Sequence, residues 1–134
     1  MTASYLLDTN VLSDLIRNPS GRAIQRIRAL RETELCTSVI VAAELRYGCA
    51  KKGSPELTRR VEALLTVLPV ISFEAPADRY YGRVRAELEA SGQLIGQNDL
   101  LIAAHALALG ATIVTANDRE FRRVAGLRVE NWVE

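Results

Sequence analysis

The chain has 134 residues, of which 49% are hydrophobic and 25% are charged. This composition is typical of a globular protein, and we expect residues 1–134 to form a single domain with one packed core. The formal net charge of +1 excludes a strongly basic field around the molecule.

The first half of the chain predicts strands that alternate with helices. Short apolar runs predict strands over 4–7 and 35–38. Apolar residues at helical spacing predict helices over 10–16 and 21–31, and a further helix from about Ser38 past Glu44 towards Cys49. Ser54 and Pro55 are typical of a cap and first helical position, so another helix is expected to begin there.

The second half continues the same alternation. Strands are predicted over 70–73, 112–116 and 127–132, and helices from Pro76 to Ser91–Gly92, from the turn at 96–99 to Gly110, and as a single turn over 119–124. Such an order favours a mainly parallel sheet with helices on both faces. The predicted fold class is therefore α/β, with three layers in the order α/β/α.

Several features indicate the environment of the protein. No apolar run is long enough to span a bilayer, and no basic segment with a following apolar stretch marks a signal peptide. Cys36 and Cys49 lie in or beside apolar stretches, without the spacing of a zinc site. We therefore predict a cytoplasmic protein with two reduced, buried cysteines and no membrane partner.

Four acidic residues stand at the edges of hydrophobic segments. Asp8 follows the first strand, Glu44 interrupts an apolar helix, Asp99 begins another helix, and Asp118 follows a β-branched strand. Ligand sites in open α/β sheets lie beyond the carboxyl ends of the strands, where such residues converge. Carboxylates brought together there repel one another, and a hard divalent cation relieves that repulsion. The pattern predicts a metal-dependent enzyme that acts on phosphates.

Each acid also has a structural alternative. Asp8 and Asp99 are good helix caps, and Asp118 lies in a common turn composition. Glu44 is the strongest case, because its neighbours three and four residues away are uncharged and mostly apolar. His105, the only histidine, lies on an apolar helix face and is expected in the core. No nucleophile elbow, P-loop or dinucleotide-binding glycine pattern is present.

At these residues the chain resembles the PIN-domain ribonucleases, specifically the VapC-type toxins of bacterial type II toxin–antitoxin (VapBC) pairs. The similar stretches follow the family's order along nearly the whole chain, and a closing segment over 126–132 also fits. They are LLDTNVLS over 6–13, SVIVAAELRYG over 38–48, IGQNDLLIAAHA over 95–106 and VTANDREF over 114–121. The resemblance implies a PIN domain with a mainly parallel sheet.

The resemblance implies that Asp8, Glu44, Asp99 and Asp118 form an acidic quartet, of which the fourth member varies most in the family. The supporting polar positions are Thr9, Thr115 and Asn117. The implied chemistry is hydrolysis of RNA phosphodiesters with one or two Mg²⁺ or Mn²⁺ ions. Arginines near these motifs are candidates for holding RNA phosphates or for ordinary surface charge: Arg46, Arg119, Arg122 and Arg123.

The implied partners are RNA, a cognate VapB-type antitoxin and a second copy of the chain, with DNA contacted only through the antitoxin complex. An antitoxin tail is expected to cover the helix that carries Glu44, Tyr47 and Gly48. Two alternatives remain open. A phosphatase with Asp8 as nucleophile would normally have a second Asp where Asn10 stands, and a non-catalytic module of PIN-like fold would bind a metal or peptide without cleaving RNA.

Overall fold

The structure is a computed structural model that describes residues 4–134. Five strands form one sheet, and every neighbouring pair of strands is parallel. The strands are β1 (Tyr5–Leu7), β2 (Leu35–Ser38), β3 (Val70–Ile71), β4 (Thr112–Val114) and β5 (Val129–Glu130). The helices are α1 (Thr9–Arg17), α2 (Arg22–Arg28), α3 (Val39–Lys52), α4 (Pro55–Val67), α5 (Ala77–Ala90), α6 (Gln97–Leu109) and α7 (Asp118–Phe121).

The strand order across the sheet is β3-β2-β1-β4-β5, which places β1 at the centre. Leu6 of β1 lies beside Cys36 on one neighbour and Ile113 on the other, and all three are fully buried. Strands buried on both faces require helices on both sides of the sheet. The predicted three-layer α/β/α fold is confirmed, and the sheet is entirely parallel in the described residues.

Helix ends follow the predicted capping residues. Ser38 accepts a hydrogen bond from the Ile40 N–H at the start of α3, and Ser54 accepts one from the Leu57 N–H at the start of α4. Gly110 ends α6 with φ 66°, a left-handed conformation that favours glycine because it carries no Cβ. These local signals fix where the helices that carry candidate site residues begin and end.

Several predicted elements are shorter in the structure. The strands predicted over 70–73 and 112–116 end at Ile71 and Val114. The helix predicted over 21–31 ends at Arg28, and a 3₁₀ turn over Glu32–Glu34 precedes β2. The strand predicted over 127–132 pairs only at Val129–Glu130. Trp132 folds back into the core, where its indole N–H donates to the Glu130 carboxylate at 2.8 Å. Tertiary packing thus ends these elements before the sequence pattern does.

The core contains the polar residues that the sequence placed there. His105 is 2% exposed, and Cys36 and Cys49 are buried and free. These predictions are confirmed. Across residues 4–134, each helix is too short or too polar to cross a bilayer.

Candidate active site

The site lies at the carboxyl edge of the sheet, beside its central strand. Asp8 directly follows β1, and its backbone N–H donates to the Val114 carbonyl at the end of β4. Thr115 follows β4 and lies next to Asp8. Because β1 and β4 are parallel neighbours, their ends place the two side chains together, although 107 residues separate them along the chain.

Asp8 is almost completely buried, and its carboxylate accepts hydrogen bonds from three donors. Oδ1 accepts from the Thr9 N–H at 2.8 Å, and Oδ2 accepts from the Thr115 hydroxyl at 2.8 Å and the Asn10 amide at 3.4 Å. Burial raises the pKa of Asp8, the hydrogen bonds from Thr115 and Thr9 oppose that rise, and the charge of Glu44 adds to it. Asp8 therefore acts as a fixed carboxylate and also caps α1.

Glu44 reaches the same edge from α3, where it is half-buried. The Thr9 hydroxyl donates to Oε1, and the Asn98 amide donates to Oε2 at 3.1 Å. Both carboxylate oxygens are thus oriented by residues from other elements. The glutamate that sequence reasoning singled out on a mainly apolar helix does have polar partners, but they come from distant segments.

Asp99 enters from the first turn of α6. Its Oδ2 accepts a hydrogen bond from the Asn117 amide at 3.3 Å. Burial, together with the charges of Asp8, Glu44 and Glu120, raises the pKa of Asp99 to about 6. The pKa shift records how crowded the negative charges are at this edge.

These side chains line one pocket of about 410 Å³. It brings together three of the four predicted acids and two of the three predicted supporting residues: Asp8, Glu44 and Asp99, with Thr9 and Asn117. The third supporting residue, Thr115, lies behind Asp8, where its oxygen also accepts from the Asn117 N–H at 2.9 Å. Asn10 lines the pocket as well.

Asp118 does not line this pocket. Its Oδ1 accepts from the Asn131 amide at 3.1 Å and its Oδ2 from Arg122 at 3.4 Å. The hydrogen bond from Asn131 is the largest cause that lowers the pKa of Asp118, and Arg122 adds to it. These contacts hold Asp118 against Asn131 of the C-terminal segment, and its place in the acidic cluster stays a prediction.

Glu120 is the acid that sequence reasoning missed. It lies two residues after Asp118 on the short helix α7, and residues two apart point in different directions. Its charge acts on Asp99, and its Oε2 is buried without a hydrogen-bond partner in the described residues. Glu120 directly precedes Phe121, which is fully buried. No local pattern in the sequence distinguishes Glu120 from Asp118, so only the structure shows which of the two acts on Asp99.

The donor set suits a hard divalent cation. Carboxylate oxygens are the ligands that Mg²⁺ and Mn²⁺ prefer, and the unpaired Glu120 oxygen and the raised pKa of Asp99 both mark uncompensated negative charge. Within residues 4–134, no three acidic, histidine or cysteine side chains already stand close enough to enclose a metal ion. The residues fit a cation chemically, because Mg²⁺ is usually held by one or two carboxylates together with water.

The arginines proposed to contact RNA mostly have partners inside the protein. Arg46 makes a two-fold contact with Glu62, at 3.0 and 2.8 Å. Arg122 contacts Asp118, and Arg123 donates to the backbone carbonyls of Gln93 and Leu94. Arg119 is exposed.

A second cavity of about 310 Å³ forms a groove between α1, α3 and α4. Thr9 and Glu44 line both cavities, so the groove adjoins the acidic pocket. Most of its lining is apolar, and two cations, Arg17 and Lys52, also line it. The apolar lining consists of Ile16, Leu45, Gly48, Cys49, Leu57 and Val61.

The fold and the acidic pocket agree with the comparison to known families. The model of the PIN domain matches residues 5–127. The chain is 41% identical to "Ribonuclease VapC2" of Rickettsia felis over 130 residues, which cover 96% of this chain and 97% of the relative. It is 38% identical to "tRNA(fMet)-specific endonuclease VapC" of Shigella flexneri over 129 residues, with 96% and 97% covered.

Solved structures give the same assignment. VapBC2 from Rickettsia felis, bound to a DNA fragment from its promoter, contains a chain that superimposes with a TM-score of 0.88 at 39% identity, covering 96% of this chain and 98% of that one. DNA-bound VapBC from Salmonella typhimurium gives a TM-score of 0.87 at 34% identity, covering 97% and 98%. The protein therefore belongs to the PIN-domain family and, within it, to the VapC ribonucleases.

Proposed function

We propose that this chain is a Mg²⁺- or Mn²⁺-dependent endoribonuclease and the toxin of a type II toxin–antitoxin pair. One observation carries the proposal: three carboxylates from three separate elements line one pocket at the carboxyl edge of the sheet. They are Asp8, Glu44 and Asp99. No single capping role explains why all three converge there. The names of the relatives, which are ribonucleases and a tRNA-specific endonuclease, support the reaction class.

Asp8 and Asp99 are the first candidates to hold one or two cations directly, with Glu44 and Glu120 completing the acidic set. Glu120 takes the place predicted for Asp118, because its free oxygen lies buried and its charge acts on Asp99. When bound, such a cation neutralises phosphate charge and makes water a stronger acid. Thr9, Thr115, Asn117 and Asn98 orient the carboxylates, a role that typically changes metal affinity or activity 10- to 100-fold in metalloenzymes.

The chain's own residues explain why a cation is needed. Asp8 and Glu44 have their oxygens fixed by hydrogen bonds, so they cannot turn away from an incoming phosphate. Asp99 has a pKa of about 6, so most of it is ionised at neutral pH. An RNA phosphate would therefore meet several negative charges, which repel it unless a cation lies between them. No histidine contributes, since His105 is buried elsewhere.

We propose a structured RNA such as tRNA or rRNA, or an mRNA, as the substrate, cut in the cytoplasm by a homodimer. The tRNA-specific name of the relative at 38% identity supports tRNA. Unstacked bases in loops are more accessible to side chains than the A-form major groove. Arg119 is exposed and is the first of the predicted arginines to test for phosphate contact.

We propose that the groove between α1, α3 and α4 receives the tail of a VapB-type antitoxin. The groove has a mainly apolar lining and shares Thr9 and Glu44 with the acidic pocket, so it suits an amphipathic segment with a basic residue at the pocket end. Arg17 and Lys52 would pair with acidic residues of the same segment. The similar solved structures are VapBC complexes, some bound to DNA, which supports this partner and its link to DNA.

The experiment that tests the activity is cleavage of total tRNA by the purified chain. Chelation should stop cleavage, and Mg²⁺ or Mn²⁺ should restore it, whereas Ca²⁺ should bind with little turnover because its coordination is looser. Asp99→Asn, purified in the same way, controls for a contaminating nuclease. Full cleavage in excess chelator, or wild-type cleavage by Asp99→Asn at saturating Mg²⁺, contradicts the proposal. A chain that binds Mn²⁺ but cleaves no RNA supports the non-catalytic alternative.

A further inference from the structure

The single histidine of the chain sits in a buried hydrogen-bond network outside the acidic pocket. His105 Nδ1 lies 2.8 Å from the Ser38 hydroxyl oxygen, and both residues are almost fully buried. The same hydroxyl oxygen accepts from the Ile40 N–H, 3.0 Å away, and so caps α3. The ring also contacts the backbone of Ser72, which follows β3. The network thus joins three elements: α3, α6 and the segment after β3.

The hydrogen bonds favour one state of the ring. A neutral imidazole donates from one nitrogen and accepts at the other. A backbone hydrogen bond of Ser72 raises the pKa of the ring, which is the direction that a carbonyl acceptor gives, and we infer that Nε2 carries the proton. Nδ1 then accepts from the Ser38 O–H. Burial lowers the pKa of His105 and keeps the ring neutral at physiological pH. Ser38 is thereby fixed as an acceptor towards the first turn of α3.

The two helices that meet at this network carry two of the site acids. Ser38 immediately precedes α3, which carries Glu44, and His105 lies on α6, which carries Asp99. A second contact between these segments is the Asn98 hydrogen bond to Glu44 at 3.1 Å. Asn98 is exposed, so water competes with that contact, whereas the Ser38 and His105 side chains are almost fully buried.

We propose that His105 is a positioning residue: through Ser38 it fixes the start of α3 against α6 and so sets the separation between Glu44 and Asp99. The inference rests on the proposed function, because that separation matters only if the two acids act together on a cation. His105 touches neither the pocket nor the reacting atoms. Its effect is therefore expected on metal affinity rather than on the chemistry of RNA cleavage itself.

Two conservative variants separate this role from general packing. His105→Asn keeps a carbonyl oxygen close to the position of Nδ1, so it can still accept from Ser38. His105→Gln places its amide near the position of Nε2, so it keeps the Ser72 contact and loses the Ser38 contact. The proposal predicts that His105→Asn retains Mn²⁺ affinity within about threefold, whereas His105→Gln and Ser38→Ala each weaken it about tenfold.

The measurement is calorimetric Mn²⁺ titration of the full-length chain, with thermal unfolding followed in parallel. Val84→Ala, a cavity variant at a buried position of α5, removes no member of the Ser38–His105 contact and controls for loss of stability. The double variant Ser38→Ala/His105→Gln should weaken binding no more than either single variant, because both interrupt the same path. Equal losses in His105→Asn and His105→Gln, or a similar loss in Val84→Ala, overturn the proposal.

A crystal structure of His105→Gln tests the positioning role independently of the proposed function, because it shows the placement of α3 relative to α6 directly. If Asp99→Asn abolishes Mn²⁺ binding while the His105 and Ser38 variants bind normally, the positioning role is wrong and the metal site stands. If the wild-type chain binds no Mn²⁺, the proposed function fails. In that case the start of α3 must still shift relative to α6 in His105→Gln, and an unchanged placement of the two helices overturns the positioning role as well.

Discussion

The Thr115 hydroxyl donates a 2.8 Å hydrogen bond to Asp8 Oδ2, which joins the ends of two adjacent strands. The Thr115 hydroxyl oxygen also accepts a hydrogen bond from the Asn117 N–H. The Thr115 side chain therefore orders both the Asp8 carboxylate and the loop that carries Asn117. Thr115 is completely buried, and Asp8 is 3% exposed. When a buried carboxylate loses a hydrogen-bond donor, the free-energy cost of removing it from water remains and that hydrogen bond no longer offsets it.

Thr115→Val should therefore destabilise the chain by about 1–3 kcal/mol and reduce cleavage. Urea unfolding measures the first effect, and a tRNA cleavage assay measures the second. The matched control is Thr112→Val on the same strand, whose hydroxyl contacts Arg128 at 3.2 Å, away from the pocket. Thr112→Val should leave cleavage unchanged, and equal activity losses in the two variants would show that Thr115 acts only through stability.

The choice of the fourth acid can be tested with a pair of variants on α7. Glu120→Gln should lower cleavage about 10- to 100-fold, because it removes an unpaired carboxylate whose charge acts on Asp99. Asp118→Asn should change cleavage less than about threefold, since Asp118 already contacts Asn131 and Arg122. Initial cleavage rates at saturating Mg²⁺ decide between them. The reverse order of effects would return Asp118 to the site.

Asp99→Asn should abolish cleavage yet stabilise the metal-free chain. The pKa of Asp99 is raised from its ordinary 3.8 to about 6. Above pH 6 the residue is ionised in both states, and the negative charge costs more free energy in the folded state than in the unfolded state. Removing that charge should increase the free energy of unfolding by about 1 kcal/mol at pH 7, after allowance for partial exposure to solvent.

The sign of this effect has a pH signature. As the pH falls from 6 towards 3.8, Asp99 takes up a proton in the folded chain before it does so in the unfolded chain. The wild-type chain therefore regains the free energy of unfolding that the charge of Asp99 had cost. The stability gain of Asp99→Asn should therefore fade across that window. Urea unfolding of both chains in excess chelator, at pH 7, 5.5 and 4, measures it. A gain that stays constant with pH would contradict the crowding of charge around Asp99.

Gly48 offers a way to separate inhibition from catalysis. It lines the groove proposed for the antitoxin, and a Cβ added there meets no atom within 4 Å. Gly48→Leu should therefore fold, fill the groove and weaken antitoxin binding at least about tenfold, while tRNA cleavage continues. Co-expression with the antitoxin should then no longer relieve growth arrest.

Gly82 on α5 is the matched control for this substitution. It also lies within a helix, and an added Cβ there also meets no atom within 4 Å. Gly82→Leu should remain fully inhibited by the antitoxin. Growth arrest should disappear when Asp8→Asn is added to either variant. Complete inhibition of Gly48→Leu by the antitoxin would move the docking surface away from this groove.

The sequence by itself determined the order of strands and helices, because short buried strands and helix caps leave local signatures. Ser54 with Pro55 marked the start of α4, and Gly110 marked the end of α6. It also singled out Asp8, Glu44 and Asp99, since a carboxylate beside apolar residues needs a partner. These three side chains do line one pocket.

Only the tertiary structure decided which side chains meet. The strand order β3-β2-β1-β4-β5 places β4 beside β1, and that pairing brings Thr115 to Asp8. Asp118 and Glu120 are equally acidic and two residues apart, so no local pattern tells which one faces Asp99. Asn131 of the C-terminal segment folds back onto Asp118, whereas Glu120 Oε2 is buried without a hydrogen-bond partner in the described residues. Contacts between residues far apart in sequence depend on packing of the whole chain, which local propensity does not encode.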